Sequence, residues 1–511
     1  MNTKSNKLFI NFKSKNNILF VDRQRESSAY LFSLFASAVN RKYKKKVILL
    51  SDKSENDKII KLYKNLGLKN FSVGVNKIQY LKKMKMFLYS LFVSLFCVLK
   101  IRASGFLWFI NNYKVNNILY GDLIYDTYIR FNHKYTNPKL DLKFIKLLIV
   151  STFRAKLILD LIIKHKIKIV IVGTEHYSFN SGIALRIAAS KGIKNYTARL
   201  NINKDFEILE YDSSNILYGY NSLKTKKLQK IFDTFTPSKK EVEKFYINRK
   251  KFNSINFYTK KTFKKANKGS GVNFISKILR KKKDNRVILY ASHALSDSTH
   301  TLGVKFSFQD YYNQFFRTLN YVFKYDNKNI WIFRCHPSSN LNGERLKLFD
   351  LIKRYKKENI IFCPVDVPVK KLYDICDLVV TGRGTIGLEF ICEGKQAILS
   401  GVPRYAHENL NLNCCSKIKH YFKLINKLDR LGSINSNKSY LAKKILYFYE
   451  SGYFHPLKIE NKILYKDKQL KKLIEILLKK RKRSIDYKIV PKILNNQFQD
   501  STFYSEIERL I

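Results

Sequence analysis

Short apolar runs of strand length alternate with helix-patterned segments along most of this chain, and this alternation constrains its fold most strongly. In the first half, Asn17–Val21 and Lys46–Leu50 flank a helix-patterned segment, and Lys168–Val172 is a later run of the same kind. A strand, a helix and a second strand at this spacing form a βαβ unit, which requires a parallel sheet. We therefore predict an α/β protein.

The same alternation returns after residue 285. Helices are expected near Phe308–Phe323, Glu344–Tyr355, Val369–Ile375 and Thr385–Glu393, and they separate the strands of a second sheet. Those predicted strands are Arg286–Ala291, Ile330–Arg334, Ile360–Phe362, Leu378–Thr381 and Gln396–Ser400. The pattern is typical of a doubly wound sheet, which binds ligands at the carboxyl ends of its strands.

A chain of 511 residues is too long for a single compact core, so we expect two domains and an extension. Residues 1–222 form the first predicted domain and residues 285–430 the second. The Lys-rich, weakly patterned residues 223–284 are predicted to bridge them, and residues 431–511 to form a mostly helical tail.

Two strand-to-helix turns of the second domain carry the residue types of a phosphate site. One is Arg334–Ser339, and the other is Thr381–Glu389, which is rich in Gly and Thr. The free N–H groups and the dipole of a helix N-terminus favour an anion. Two such turns at one edge of a parallel sheet predict a site for a nucleotide with one or two phosphates.

Individual residues of these turns suggest distinct roles. Pro337 leaves the N–H groups of Ser338 and Ser339 free to face an anion, and His336 could donate to a phosphate oxygen. Glu389 shares a helix face with Thr385, where a carboxylate could accept both hydroxyls of a ribose. Alternatively, the histidine closes a strand end, the glycines only shape a turn, and Glu389 is a surface acid.

Residues 287–410 resemble the capsule polysaccharide biosynthesis glycosyltransferases, which are related to the bacterial CMP-Kdo and sialic acid transferases. The matching residues are Ser292–Asp297, Asp310–Tyr312, Arg334–Pro337, Thr381–Thr385 with Gly387–Glu389, Gly394–Lys395, and Gly401–Tyr405. Gly121–Asp126 extends the resemblance more weakly into the first half. The chain lacks the acid-acid-Gly motif that the sialyltransferases have before their His-Pro.

The resemblance implies a GT-B fold, in which two Rossmann-like domains face a cleft and the C-terminal one holds the donor nucleotide. It implies a glycosyltransferase that moves a sugar from a CMP- or NDP-linked donor to a surface polysaccharide or a lipid-linked glycan. His336 and Thr385 would bind phosphate, and Glu389 would contact the ribose. The candidate donor-binding residues are His293, Asp297, Arg334, His336, Pro337, Ser338, Ser339, Arg383, Gly384, Thr385, Gly387 and Glu389.

The catalytic base is expected from the first domain, across the cleft. Glu26 lies in the first βα loop, where a carboxylate could face an acceptor hydroxyl. Asp122, Asp126, Glu175 and His176 are rival candidates, and each could instead cap a helix or lie in a turn. His336 could also act in catalysis by stabilising charge on the leaving nucleotide. No metal-binding motif is present, so we expect neither a metal nor another cofactor besides the donor itself.

The net charge of +58, from 97 Lys and Arg against 39 Asp and Glu, favours an anionic partner. Lys, Asn and Ile are abundant from end to end, so a genome-wide compositional bias is an alternative explanation of the charge. Aromatic residues are not interleaved with basic ones as in single-strand binders, so no specific nucleic-acid partner is predicted. Peripheral contact with an anionic membrane is predicted instead.

Two segments bear on membrane contact. Met86–Leu99 is an apolar run of 14 residues framed by lysines, which favours a buried core helix over a helix that dips into the membrane surface. Leu470–Lys480 is a basic amphipathic pattern, which favours a helix packed on the protein. Any membrane contact is therefore expected to be electrostatic and released by salt.

The expected location is the cytoplasm, peripherally at the inner face of the cytoplasmic membrane. Residues 1–16 are polar and lack the apolar core of a secretory signal. The seven cysteines have no zinc spacing and are expected to be reduced, buried thiols.

Two other functions fit parts of the sequence. A nucleotide-sugar epimerase or hydrolase can share this fold, and it would differ from a transferase in needing no acceptor glycan. A non-enzymatic basic protein would cluster its lysines on one face and lack an ordered cleft.

Overall fold

The computed structural model describes residues 17–21, 47–50, 71–73, 80–132, 134–136, 140–172, 181–200, 206–213, 222–250, 270–282, 285–301, 306–336, 339, 344–355, 357–364, 367–451, 453 and 458–459. Strands and helices are numbered in chain order within these residues.

The first sheet has seven strands in the order β15-β8-β7-β6-β1-β2-β3. The five strands from β7 to β3 pair in parallel, whereas β8 and β15 run antiparallel to their neighbours. Strands β1 and β2 are buried almost throughout, which explains their unbroken runs of Val, Ile, Leu and Phe. The strands are β1 (Asn17–Val21), β2 (Val47–Leu50), β3 (Phe71–Val73), β6 (Ile167–Val172), β7 (Lys194–Leu200), β8 (Phe206–Tyr211) and β15 (Lys458–Ile459).

Four helices of the first half share one hydrophobic core with β1, β2 and β6. A short hairpin, β4 (Lys114–Val115) and β5 (Ile118–Leu119), joins the first two of them. The helices are α1 (Tyr80–Asn112), α2 (Gly121–Phe131), α3 (Leu142–Lys164) and α4 (Ser181–Ser190).

The second sheet has six strands, all parallel, in the order β11-β10-β9-β12-β13-β14. Its order reverses at β9, between β10 and β12, and such a switch point opens a crevice at the carboxyl ends of the strands. The strands are β9 (Val287–Ala291), β10 (Ile330–Arg334), β11 (Ile360–Phe362), β12 (Leu378–Thr381), β13 (Gln396–Leu399) and β14 (Asn413–Cys414).

Helices cover both faces of this second sheet. Alternate residues of β9 belong to different cores: Val287 and Leu289 to one, Ile288 and Tyr290 to the other. The core of Ile288 includes residues of α8 (Tyr311–Tyr325), α9 (Glu344–Lys353) and α12 (Ile418–Ile425). The core of Val287 includes residues of α10 (Val369–Ile375), α11 (Thr385–Cys392) and α13 (Ser436–Ser451).

The segment predicted to bridge the domains contributes three helices to the second core. They are α5 (Lys226–Asp233), α6 (Lys239–Lys250) and α7 (Ser270–Lys282). Leu228, Tyr246 and Ile278 are buried there with residues of the second sheet. These helices are therefore packed structure and not an open linker.

The predicted fold class is confirmed in that the chain is α/β and has two Rossmann-like sheets, one mostly and one wholly parallel. Strands β1, β10, β11 and β12 and helix α10 have the predicted bounds. In the tail, α13 is the expected helix, but β15 departs from the helical prediction because it pairs with β8 of the first sheet. Leu470–Lys480 lies outside the described residues.

The prediction for Met86–Leu99 is wrong in its length and burial. This run lies inside α1, which has 33 residues and is long and apolar enough to cross a membrane, yet only 28% of its most apolar window is buried. Gly105, with φ of 77°, interrupts the helix, and Phe106 and Phe109 beyond it enter the core. The run is therefore not a buried core helix, because most of its apolar side chains remain exposed.

Candidate functional site

Two histidines lie together at the carboxyl edge of the second sheet. His293 follows β9 and His336 follows β10, and these neighbouring parallel strands bring the two rings to 6.5 Å between centroids. His293 also stacks on Tyr311, the first residue of α8, at 4.2 Å. The backbone N–H of His336 donates to Ser292 Oγ at 3.2 Å. The turns that follow β9 and β10 therefore lie side by side at this edge.

The buried ring of His293 is held in its neutral form. Burial lowers its pKa well below the usual value, and the neighbouring His336 and Arg383 lower the pKa further. Its Nε2 accepts the backbone N–H of Arg383 at 3.0 Å, so the ring proton resides on Nδ1. His293 therefore positions the turn after β12 as a neutral acceptor and adds no positive charge to the site.

The turn after β12 packs so closely against this stack that a side chain at Gly382 has no room. A Cβ there would lie 2.7 Å from His293 Cδ2 and 2.8 Å from Tyr311 Cε1. Gly384 precedes α11 and offers no side-chain cap to the N–H groups of the first helical turn, of which that of Gly387 donates to the Gly384 carbonyl oxygen at 3.0 Å. Thr385, the first residue of the helix, is exposed there.

Arg383 places a positive charge at the same edge. Its Nη2 donates to the carbonyl oxygen of Thr299, and lies 3.4 Å from the carbonyl oxygen of Ser298 and 3.3 Å from the hydroxyl of Tyr311. Its Nε and Nη1 are shielded from solvent and have no hydrogen-bond acceptor among the described residues. A shielded guanidinium with unused donors can accept a further hydrogen-bonding partner, and an anionic oxygen forms the stronger, charge-assisted bond.

Two serine hydroxyls near this edge also lack a hydrogen-bond partner among the described residues. Ser298 Oγ, in the loop after β9, and Ser339 Oγ, after β10, are buried without a partner within the described part of the chain. The side chain of Asp297 in the same loop accepts the N–H of Ser298 at 2.9 Å. Loops from three adjacent strands thus bring polar groups to one edge, as predicted for His293, His336, Ser339, Arg383, Gly384 and Thr385.

Arg334 has a different place from the one predicted. Its Nη1 donates to the carbonyl oxygen of Val367 at 2.8 Å and lies 3.9 Å from Cys363 Sγ, and the side chain is buried. This guanidinium therefore braces the segment that follows β11. The Nη1 donor therefore serves the protein itself, and this contact does not support a role in donor binding.

Glu389 is also committed to protein contacts. Its Oε1 accepts from Arg249 at 2.5 Å, and its Oε2 accepts from Tyr373 at 2.5 Å. Arg249 also pairs with Glu450 at 3.0 Å, and burial raises the pKa of Glu450. In this buried cluster α11 is tied to α6, α10 and α13, so the geometry does not present Glu389 to a ribose, contrary to the prediction.

Two acids predicted as candidate bases are similarly occupied. Asp122 forms a bidentate ion pair with Arg186, at 2.5 and 2.7 Å, and both side chains are buried. Oδ2 of Asp126 accepts the backbone N–H groups of His300 and Thr301, each at 2.8 Å. Burial raises the pKa of Asp126, and these N–H groups oppose that rise. The contacts assign both acids to structure and not to proton abstraction.

Five of the predicted site residues lie outside the described residues: Glu26, Glu175, His176, Pro337 and Ser338. Gly387, by contrast, allows a close approach, because a Cβ there would lie 2.5 Å from the hydroxyl of Tyr405. That hydroxyl donates to the carbonyl oxygen of Gly384 at 2.8 Å, so Tyr405 packs the site's turn. Within the described residues no group of three or more His, Cys, Asp and Glu could hold a metal ion.

Sequence reasoning missed the residues whose contacts hold His293 and Arg383 in place. The stacking of Tyr311 on His293 and the carbonyl of Thr299 that holds Arg383 follow from tertiary packing. The sequence signal for Tyr311 was the pair Tyr311-Tyr312 at the start of α8, because this helix follows the loop at the end of β9. Nothing in the sequence marks the Thr299 carbonyl, because backbone groups are common to every residue.

Comparisons with known proteins do not assign the chain to a family. No family model and no curated protein sequence matches it. Among solved structures it is similar to a UDP-GlcNAc 2-epimerase from Neisseria meningitidis, with 12% identity, a TM-score of 0.27, and 84% of this chain and 94% of that chain covered. A glycosyltransferase from Rickettsia africae has 13% identity and a TM-score of 0.24, with 94% and 99% covered.

A third solved structure is the β-Kdo 2,4 transferase KpsC of Thermosulfurimonas dismutans, with 13% identity and a TM-score of 0.30. The alignment covers 56% of this chain and 85% of that chain. At these identities and TM-scores the similarities carry no argument about activity. The fold assignment rests on the strand orders described above, and the function must be argued from the site.

Proposed function

We propose that this protein is a glycosyltransferase that transfers a sugar from a nucleotide-linked donor to a glycan or lipid-linked acceptor. The donor phosphate would lie between the turn after β10, which carries His336, and the turn after β12, which carries Arg383 and Thr385. The observation that carries the proposal is the shielded guanidinium of Arg383, whose Nε and Nη1 have no acceptor within the described residues. A phosphate oxygen would supply the missing acceptors.

The groups around Arg383 also suit a phosphate ligand. The N-terminus of α11, which has no side-chain cap, adds the positive end of its dipole. Ser298 and Ser339 add hydroxyls that have no partner in the described part of the chain. His293 stays neutral, so Arg383 carries the charge that would balance the leaving nucleotide. This arrangement would stabilise the leaving group without a metal.

The catalytic base is proposed to come from the first domain, with Glu26 as the first candidate and Glu175 as the second. Asp122 and Asp126 are less suited, because an ion pair and backbone N–H groups already engage their carboxylates. Replacing the true base by Gln should lower turnover about 10²–10⁴-fold while donor affinity stays unchanged. Side-by-side assays of Glu26→Gln and Glu175→Gln would identify it.

The acceptor and the cellular setting follow from the family resemblance alone. We propose a capsule or lipopolysaccharide glycan as the acceptor and the cytoplasmic face of the membrane as the place of work. An epimerase or hydrolase remains the alternative, and product analysis separates them. A transferase joins the sugar to an added glycan, whereas an epimerase returns an isomerised nucleotide sugar and a hydrolase returns the free sugar.

The decisive experiment measures donor affinity calorimetrically for CMP-, UDP-, GDP- and dTDP-linked sugars. Arg383→Gln should weaken binding of the accepted donor by about ten- to a hundredfold, since a hydrogen bond to a charged group contributes about 1.5–3 kcal/mol. His336→Ala should weaken it on the same scale. Arg317→Gln, an exposed arginine of α8, is the matched control and should bind as wild type. Unchanged affinity in Arg383→Gln would refute the phosphate assignment.

A further inference from the structure

Helix α1 presents two opposite faces of different character. Its buried stripe includes Ser90, Ser94, Cys97 and Ile101, which recur every three to four residues. The opposite face carries large apolar side chains that are between 53% and 74% exposed. These six residues, called the α1 apolar face, are Leu81, Leu88, Phe92, Leu95, Phe96 and Leu99.

Most residues of the α1 apolar face are neighbours on the helix surface, which distinguishes them from scattered surface residues. Single exposed apolar residues are common on proteins and need no explanation. From residue 88 to residue 99 the helix rises about 17 Å, at 1.5 Å per residue, and exposed apolar side chains recur along all of it, whereas the exposed Lys85 separates Leu81 from Leu88. An exposed apolar row of that length indicates an interaction surface.

The charge around the face selects the chemistry of its partner. Helix α1 carries Lys82, Lys83, Lys85, Lys100 and Arg102 and has no Asp or Glu. On α3, which packs beside it, the one acid is Asp160, already paired with Lys82 at 2.5 Å. A second copy of the chain would bring the same cationic helix against this one, which like-charge repulsion disfavours. An anionic surface complements it.

The packing of α1 also fixes how a membrane could meet it. The helix is held against α3 near both ends, by the Lys82–Asp160 pair and by Phe106 stacked edge-on against Phe144 at 5.2 Å between ring centroids. Helix α3 in turn shares the core of the first sheet. Lipid can therefore reach only the outer side of α1, which suits a helix lying in the membrane plane and not one that spans it.

We propose that the α1 apolar face inserts into the interfacial region of an anionic lipid bilayer, with its lysines among the headgroups. Insertion of apolar side chains should make the association resist salt more than electrostatic contact alone would. The proposal corrects the expectation that salt alone releases the protein. It is independent of the donor site, because none of its residues lies in the second domain.

Co-sedimentation of the full-length protein with vesicles tests the proposal. Wild type should bind vesicles of phosphatidylcholine with 30% phosphatidylglycerol, and it should bind vesicles of pure phosphatidylcholine more weakly. Part of the binding to the anionic vesicles should remain in 0.5 M NaCl. The triple variant Phe92→Ser, Leu95→Ser, Leu99→Ser should lose tenfold or more in vesicle partitioning. The matched control, Ile247→Ser, Leu279→Ser, Tyr325→Ser, removes exposed apolar residues elsewhere and should bind as wild type.

Two further measurements guard against misfolding and against another occupant of the face. Circular dichroism and donor affinity of the triple variant should match wild type, which shows that it folds. In Phe92→Trp, brominated lipid acyl chains should quench the new tryptophan, whereas Tyr325→Trp should not be quenched. Wild-type vesicle binding by the folded triple variant would overturn the proposal. The proposal would also be overturned if wild type were a dimer and the triple variant a monomer while both bound vesicles equally.

Discussion

At the residue scale, hydrogen-bond partners separate groups that work on a ligand from groups that hold the fold. Arg383 and Arg249 are both largely buried, yet Arg249 is neutralised by Glu389 and Glu450, whereas the partners of Arg383 among the described residues are neutral oxygens. Burying a charge without an opposite charge is costly. This difference is why we assign the anion site to Arg383 and a structural role to Glu389.

A change at Glu389 should therefore act on stability. In Glu389→Gln the hydrogen bonds from Arg249 and Tyr373 would lose their charged acceptor, and we expect a loss of about 1.5–3 kcal/mol in the free energy of unfolding. Donor affinity in the folded variant should stay within twofold of wild type. Urea unfolding and calorimetry on the same sample measure both. Weaker donor binding at unchanged stability would instead restore the ribose role.

The neutral state of His293 predicts a dependence of stability on pH. Its pKa is lowered in the folded protein, so the unfolded chain takes up a proton near pH 6.5 that the folded chain does not. Stability should fall as the pH falls below about 6.5. In His293→Gln, whose amide oxygen can accept the Arg383 N–H, the melting temperature should decline less between pH 7.5 and 5.5. Parallel declines in both proteins would contradict this assignment.

At the element scale, the short helix α11 is fixed by close packing at one end and by charge on its flank. Gly387 lies against Tyr405, whose hydroxyl binds the carbonyl oxygen of Gly384 before the helix begins. The Glu389 cluster joins the helix to α6, α10 and α13. The helix N-terminus is thereby held rigidly at the edge where the donor phosphate is proposed to bind.

Adding one methyl group at Gly387 should test this packing. In Gly387→Ala the new Cβ would lie 2.5 Å from the Tyr405 hydroxyl and 2.9 Å from Leu399 Cδ2. We expect a loss of about 1–3 kcal/mol, the usual cost of overpacking. The loss should shrink in a Tyr405→Phe background, where the clashing oxygen is gone. Gly432→Ala is the control, since no atom lies within 4 Å of its added Cβ.

At the scale of the whole molecule, polar contacts join the two domains next to the site. The hydroxyl of Tyr125 on α2 donates to Asp310 at 2.7 Å, and Asp126 binds the N–H groups of His300 and Thr301. The loop that Asp126 holds is the one whose Thr299 carbonyl holds Arg383. The first domain is therefore connected to the proposed phosphate site through a single loop.

Removal of the Asp126 carboxylate should affect both stability and donor binding. In Asp126→Ala two shielded N–H groups would lose their acceptor, at about 1–3 kcal/mol for each. The freed loop should also weaken donor affinity, since Arg383 loses a fixed support. Thermal unfolding and calorimetric titration measure the two effects, with the exposed acid variant Asp374→Ala as control. Wild-type behaviour in Asp126→Ala would show that this contact does not couple the domains.

The sequence alone was enough for the fold class and for the location of the candidate site. Runs such as Ile330–Arg334 and Leu378–Thr381 are strands with the predicted bounds, because apolar period and turn residues are local properties. Parallel strands align their carboxyl ends, so the turns carrying His336 and Arg383 had to share one edge of the sheet. Those steps need only the order of residues along the chain.

Only the tertiary structure decided which polar side chains are available. Arg334, Glu389, Asp122 and Asp126 have the residue types of a site, yet partners distant in sequence engage each of them. Likewise, α1 has the composition of a core helix, and its exposed face follows from where α3 packs. Local sequence sets the helix or strand pattern, whereas burial and pairing depend on contacts between residues far apart in the chain.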